Sequence, residues 1–232
     1  MILGFYKTMR YSRQIPLLDE CSVEYLKNAH IAVIGAGGVA STLLPLLVSS
    51  GIGNIRICDG DVVSKSNLHR QTLYTENDIG KLKVLIAKEK LKAINSNTKI
   101  STYSEFLKNE QDVEDFISGV DLCIDTSDSF ASRNMISNAC ANSNIKEIVC
   151  SASNWTAQTY LFDKSFKFSD IAPDIKEENT PLPIFPPAAH LSGIWGASIA
   201  IKFLAKKEYF NVGYFQSFDF QTNSFYKANF LD

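Results

Sequence analysis

The sequence lacks any excess of charge. Its 23 lysines and arginines against 25 acids leave a formal net charge of -2, so no basic field attracts nucleic acid. Long apolar runs are missing too: none approaches the ~20 residues that a membrane-spanning helix requires, and no membrane association is expected. Residues 1–8 are too few and too mixed to read as a secretory signal, which makes the cytosol the expected location. The five cysteines (21, 58, 123, 140 and 150) form no C-x-x-C pair, and the three histidines (30, 69 and 190) have no ligand spacing. Neither a disulfide framework nor a structural zinc site follows from this pattern. Cys58 and Cys123 sit in apolar runs where a free thiol behaves as a small hydrophobe, and all five cysteines read as structural. Internal repeats and low-complexity tracts are also absent.

The composition that remains is that of an ordinary globular protein. With 45% hydrophobic and 21% charged residues over 232 positions, the chain can bury the core of one large α/β domain. Residues 30–35 are a continuous apolar run ending in glycine, as a buried parallel strand should be. Helical spacing follows over 39–50 with Gly51 as a stop, and Pro45 inside it is a local conflict. Residues 54–59 make a second strand, so the chain opens β-α-β with a right-handed crossover. Further strands are expected over 100–103, 120–125, 147–151 and 155–162, with helices over 81–95, 112–117, 133–143 and 191–204. Residues 163–187, rich in acids and proline, read as a functional lid or mobile segment. Residues 214–230 read as an antiparallel hairpin around Gln221-Thr-Asn-Ser224. Its aromatics Phe215, Phe218, Phe220, Phe225 and Tyr226 are expected in the core rather than at a docking surface. The fold class is therefore α/β: a Rossmann-like, doubly wound and mostly parallel sheet with an antiparallel C-terminal extension. A single domain over 1–232 is expected, with an N-terminal helical arm (1–28), a crossover loop (163–190) and a C-terminal hairpin (209–232).

Three stretches carry chemistry. Gly35-Ala-Gly37-Gly38-Val-Ala40, after a strand and opening a helix, is the dinucleotide fingerprint in its alanine form, with Asp59 at the spacing of a ribose-binding acid. Glycines there let backbone amides approach phosphate, and the helix N-terminus favours its charge. The turn alone does not settle which nucleotide binds. Arg70 sharpens the reading, because a triphosphate needs a cation from the following loop whereas NAD does not. Lys83 adds to it through a misfit: the first turn of a helix disfavours cations, so a lysine there is either surface or paired with an anion. Asp128 lies just past a strand C-terminus, the edge where open α/β sheets bind ligands. Facing a triphosphate, it would need a magnesium ion between them; as a bland alternative it caps the helix leading to Arg133. Asp125 is less suited to reach solvent.

The motifs Arg10-Tyr-Ser-Arg13-Gln14, Gly35-Ala-Gly-Gly38, Asp59-Gly-Asp61, Ser66-Asn67-Leu-His-Arg70-Gln71, Gly80-Lys-Leu-Lys83 and Asp125-Thr-Ser-Asp128 together resemble a known family. It is the ThiF/MoeB/HesA family of adenylyltransferases, bacterial thiamin and molybdopterin enzymes related to the ubiquitin-activating enzymes. The order and spacing of the motifs hold over residues 9–163, and a weaker likeness continues through 193–202 to the hairpin. The resemblance implies that Gly35, Gly37 and Gly38 form the nucleotide loop, with Gly38 admitting the phosphates, and that Asp59 binds the ribose. Asn67, Arg70 and Lys83 would hold the triphosphate, Asp61 and Gln71 would belong to the same nucleotide site, and Asp128 would hold Mg2+. Arg13 would reach into the active site of the second subunit of a homodimer. Arg13, Arg70, Lys83 and Asp128 are thus the implied catalytic set, with ATP and Mg2+ as cofactors. The implied reaction is attack of a carboxylate on the α-phosphorus of ATP, giving an acyl-adenylate and pyrophosphate. The implied partner is a ubiquitin-like sulfur-carrier protein ending in Gly-Gly.

The sequence departs from the family twice. Many members carry two C-x-x-C pairs that bind zinc, and neither is present here. Many also carry a cysteine in the crossover that serves sulfur or thioester transfer; the matching stretch, residues 178–185, has none. Both departures lean toward a pure adenylating enzyme and leave a ribosomal peptide or a modified nucleoside open as the acceptor. An NAD-dependent oxidoreductase is favoured only by the glycine loop and Asp59, and leaves Arg70, Lys83 and Asp128 without work. A non-catalytic scaffold subunit is disfavoured by the same intact residues.

Overall fold

A computed structural model describes residues 10–172 and 182–232. Among them, eight strands form one sheet in the order β3-β2-β1-β4-β5-β6-β7-β8. Strands β1 (His30–Ile34), β2 (Asn54–Cys58), β3 (Lys99–Tyr103), β4 (Leu122–Asp125) and β5 (Glu147–Ser153) are parallel. Strands β6 (Thr156–Phe162), β7 (Tyr214–Asp219) and β8 (Ser224–Asn229) continue the sheet in antiparallel fashion. The expected doubly wound sheet with an antiparallel extension is what forms. Its parallel strands are apolar because helices cover both faces.

Helices α1 (Ile15–Leu18), α2 (Glu20–Asn28), α3 (Ala40–Ser49) and α4 (Lys83–Ile94) precede β3. Helices α5 (Glu110–Ile117), α6 (Phe130–Asn142), α7 (Phe168–Ile171) and α8 (Pro186–Leu204) follow it. Helices α2, α3, α4 and α8 pack on one face, where Leu26, Leu43, Leu47, Leu91 and Ala200 are fully buried. Helices α5 and α6 pack on the other through Val113, Ile117, Ile136 and Ala139. Each buried leucine contributes roughly 1.5–3 kcal/mol, which is how α3 tolerates Pro45 and runs unbroken through it.

Helix α8 crosses α3 closely because it presents small residues to it. A Cβ on Gly193 would lie 2.4 Å from the Val39 carbonyl oxygen, and one on Gly196 would lie 3.0 Å from Leu43 Cδ1 of α3 and 2.3 Å from Cys150 Sγ of β5. This contact sets the N-terminal turn of α8 beside the N-terminal turn of α3, with Ala189 against the glycine loop.

Two expectations need correction. The crossover is shorter than residues 163–190: α7 and an Asp163–Phe166 bridge lie inside it, and α8 already begins at Pro186. Proline at N1 and N2 favours a helix start, since its missing N–H is unneeded there. Residues 173–181 of that crossover, and residues 1–9 of the expected arm, lie outside the described residues. The hairpin forms at 214–229, but its aromatics are not all core. Phe225 and Tyr226 are 49% and 58% exposed, because β8 is the outermost strand and α8 reaches it only at its rim, where Trp195 meets Phe225 at 5.8 Å between ring centroids.

Candidate active site

The strand order reverses between β1 and β4, which places a crevice at their C-terminal ends. The glycine loop leaves β1 into this crevice and opens α3. Gly35 has φ +99°, and a Cβ there would lie 2.5 Å from Thr126 Oγ1, so the loop and the end of β4 are in direct contact. Ala36 is gripped from both sides: its N–H donates to Asp59 Oδ2 at 2.7 Å, and its carbonyl accepts from the Tyr74 hydroxyl at 2.7 Å. The N–H groups of Gly37, Gly38 and Val39 have no acceptor among the described residues. At a helix N-terminus such groups make an anion cradle.

The loop after β2 covers that cradle. Gln71 is buried, with Nε2 3.6 Å from where a Gly37 Cβ would be and with Oε1 unpartnered among the described residues. Arg70 passes over Gly38: its Cγ is 3.2 Å, and its carbonyl oxygen 3.4 Å, from the position of a Cβ there. Any side chain at residue 38 would press on Arg70. Asn67 Oδ1 accepts from Ser64 N–H at 3.1 Å and thereby shapes the turn that delivers Arg70. Asp59 Oδ1 accepts from the Asp61 N–H at 2.8 Å, so each carboxylate oxygen holds one main-chain donor.

Lys83 opens α4 and is only 4% exposed. Its Nζ donates to Asp61 Oδ2 at 2.7 Å and lies 4.0 Å from Asp59 Oδ2. The cation at the unfavourable end of a helix is thus paired with two acids from the β2 loop. Burial raises the Asp59 pKa, with Lys83 opposing it by favouring the charged form.

At the end of β4, Asp125 is fully buried and Asp128 is exposed. Asp128 is not the cap of α6; Ser129 is, accepting from Ser132 N–H at 3.0 Å. That leaves the Asp128 carboxylate free of hydrogen bonds among the described residues. An exposed, unpartnered carboxylate at a sheet's C-terminal edge fits a divalent cation held against phosphate.

Arg13 is the one member of the expected set that its own chain keeps away from the crevice. Its neighbours anchor at the far ends of the helices: Arg10 Nη1 donates to the Ile94 carbonyl, Gln14 Nε2 to the Ser50 carbonyl, and Tyr11 packs on Gly51. The glycine loop and Lys83 lie at the opposite ends of α3 and α4, about 15 Å away at 1.5 Å per residue. Arg13 itself is exposed.

These features agree with comparison to known proteins. Residues 11–230 match the ThiF family model. The chain belongs to the ThiF family. A probable molybdopterin-synthase adenylyltransferase from Porphyra purpurea is 37% identical over 176 residues, 74% of this chain and 46% of that protein. A sulfur carrier protein adenylyltransferase from Thermus thermophilus is 38% identical over 132 residues, 56% of this chain and 48% of that protein. The chain therefore spans about half the length of these curated relatives. Among solved structures, Escherichia coli MccB with AMPCPP and MccA has a TM-score of 0.86, covering 97% of this chain and 73% of that one. At 22% identity this is a likeness of fold.

In this ThiF-family chain, sequence reasoning missed Tyr74 and Thr126, which lock the glycine loop, and Ala189, which closes on Gly38. Nothing local marks them, since each acts across the fold. Four cysteines (58, 123, 140 and 150) are buried and Cys21 is exposed. Burial pushes the Cys58 thiol up to about 12, which keeps it from acting as a nucleophile. No helix among the described residues is long and apolar enough to cross a membrane.

Proposed function

We propose that this chain is an ATP-dependent adenylyltransferase that activates the C-terminal carboxylate of a ubiquitin-like sulfur-carrier protein ending in Gly-Gly. The observation that carries the reading is the convergence of the unoccupied amides of Gly37, Gly38 and Val39 with a buried Lys83 and with Arg70. Amides at a helix N-terminus, an arginine from the loop after β2 and a lysine at the start of α4 suit a polyphosphate rather than a neutral ligand. The names and identity of the curated relatives support the same activity and the same class of partner.

In this reading the glycine loop holds the phosphates, and Asp59 takes the ribose hydroxyls on its remaining lone pairs. Asn67 and Gln71 complete the polar lining. A carboxylate oxygen of the carrier attacks the α-phosphorus, and the bond to the bridging oxygen of pyrophosphate breaks. No protein nucleophile takes part. Arg70 and Lys83 neutralise the charge that accumulates on the leaving pyrophosphate, and the fixed loop keeps attacking and leaving oxygens in line. Lys83 must loosen its contact with Asp61 to do so. Magnesium, when bound, would supply further charge neutralisation, and Asp128 is the residue that would hold it. Arg13, remote from its own crevice, would serve the crevice of a second copy in a homodimer.

The test is ATP–pyrophosphate exchange by the purified protein with magnesium and single carriers ending in Gly-Gly, against a blank without carrier. Exchange that depends on one carrier is the expected result. ATP binding without exchange for any carrier would move the acceptor to a peptide or nucleoside. Absence of both ATP binding and exchange would overturn the reading.

A further inference from the structure

Beneath the crevice, between β4, β5 and the first turn of α6, lies a buried polar cluster that the reaction above does not use. Asp125 and Glu147 are both 0% exposed. Asp125 Oδ2, Ser127 Oγ, Arg133 Nε and both Glu147 carboxyl oxygens are buried here without a well-formed hydrogen bond among the described residues, with the Ser127 and Ser137 hydroxyls beside the two acids. Arg133 stands in the first turn of α6, where the helix dipole disfavours a cation. Like Lys83, it therefore needs a local reason to be there.

Its contacts supply one. Arg133 Nη2 donates to the Ser127 carbonyl at 2.9 Å, while the Ser127 N–H donates to Asp125 Oδ1 at 2.7 Å. The Ser127 main chain is thus held on both sides, its N–H by Asp125 and its carbonyl, in the peptide that leads to Asp128, by Arg133. The residues around it are fixed as well. Thr126 N–H donates to the Ile34 carbonyl at 2.9 Å, and Ser129 caps α6. Asp128 stands between these anchors, with its own carboxylate uncommitted. The Arg133 guanidinium also lies 5.8 Å and 5.9 Å from the Phe130 and Phe168 ring centroids, which limits its freedom to swing away.

We propose that Arg133 is a positioning residue that acts through Ser127 to fix the turn carrying Asp128, and so sets the metal affinity of the nucleotide site. The proposal rests on the adenylylation reading and extends it one layer below the residues that face the ligand. A purely structural Arg133 would cost stability when removed and leave metal binding to a folded protein unchanged. A positioning Arg133 acts only through Asp128.

A double-substitution cycle separates the two. The probe is Mn2+ with the non-hydrolysable nucleotide AMPCPP, with free Mn2+ followed by its paramagnetic resonance signal; no acceptor or turnover is required. Arg133→Met is expected to weaken Mn2+ binding by about tenfold or more, the usual cost of losing a partner behind a metal ligand. Asp128→Ala should weaken it at least as much, and adding Arg133→Met to Asp128→Ala should cause no further loss. Val113→Ala, in the core between α5 and α6 with no contact to Arg133, should lower thermal stability and leave Mn2+ affinity alone. If Arg133→Met does not fold, Arg133→Lys keeps the charge opposite Asp125 while disturbing the bond to Ser127, and an intermediate loss is expected. Mn2+ binding that Asp128→Ala weakens and the Arg133 variants do not would overturn the proposal and leave the proposed function standing. Equal losses in both Asp128 backgrounds would overturn it likewise. Failure of the wild-type protein to bind Mn2+ with AMPCPP would overturn both.

Discussion

Gly193→Ala sets two effects of opposite sign against each other at the point where α8 meets the nucleotide helix. Alanine in a helix interior is favoured over glycine by roughly 0.8–1.0 kcal/mol. Against this, the new Cβ would lie 2.4 Å from the Val39 carbonyl oxygen, 3.2 Å from Leu43 N and 3.3 Å from Thr42 Cβ. The nearest atom is main chain inside the first turn of α3, so no rotamer change relieves the contact. Helix α8 must instead back away from α3 by on the order of 1 Å, which puts the cost in the upper part of the roughly 1–3 kcal/mol that overpacking takes. The clash wins, for a net loss of about 1–2 kcal/mol. In a chain of this size that corresponds to a fall of about 2–8 °C in Tm. The same displacement lifts Ala189 from Gly38, so ATP affinity should fall with stability. Differential scanning calorimetry and an ATP titration on the same preparation measure both. A variant that melts higher than the wild type and binds ATP equally well would refute this account of the α3–α8 contact.

Two further outcomes are expected. Lys83→Met keeps the side-chain volume but removes the buried cation. A lost hydrogen bond to a charged group is worth about 1.5–3 kcal/mol, so calorimetric titration should show ATP affinity reduced by about ten- to a hundredfold; unchanged affinity would remove Lys83 from the site. Glu147→Gln should alter the pH dependence of stability. Burial, and then the neighbouring Asp125, push the Glu147 pKa well above its usual 4.5, so the folded state retains a proton that the unfolded state loses. The wild type therefore forfeits stability as pH rises from about 4.5 toward the folded-state value, and glutamine, which never ionises, does not. Melting curves from pH 5 to 8 should show the variant gaining on the wild type as pH increases; parallel curves would contradict a protonated Glu147.

Much of this architecture was legible along the chain. The apolar run ending at Gly35, the helical spacing that follows and the second strand at Asn54–Cys58 are local patterns, and each formed within a residue or two of its expected bounds. Lys83 was legible because it violated the dipole preference of its own helix, and its partners Asp59 and Asp61 lie in the loop that the sequence had already singled out. Arg13 was legible only as a motif. What places it at the far ends of α3 and α4, beyond reach of its own crevice, is the anchoring of Arg10, Tyr11 and Gln14.

The hairpin shows where pattern reasoning fails. Alternation of aromatic and polar residues marks β7 and β8 as strands, but burial depends on what packs against each face. Phe225 and Tyr226 are exposed because β8 ends the sheet. The polar residues divide in the same way. Sequence by itself determined that a glycine loop, a ribose-spaced acid, two cations and the carboxylate of Asp128 would follow the C-terminal ends of parallel strands, because the β-α-β pattern sets those connections on one sheet edge. Tertiary structure alone decided that Tyr74 and Thr126 lock the loop, that Ser129 rather than Asp128 caps α6, and that Arg133 clamps the turn between Asp125 and Ser127. Those roles come from contacts across the fold, and of the residues that make them only Arg133, a cation near the start of its helix, carries a local conflict.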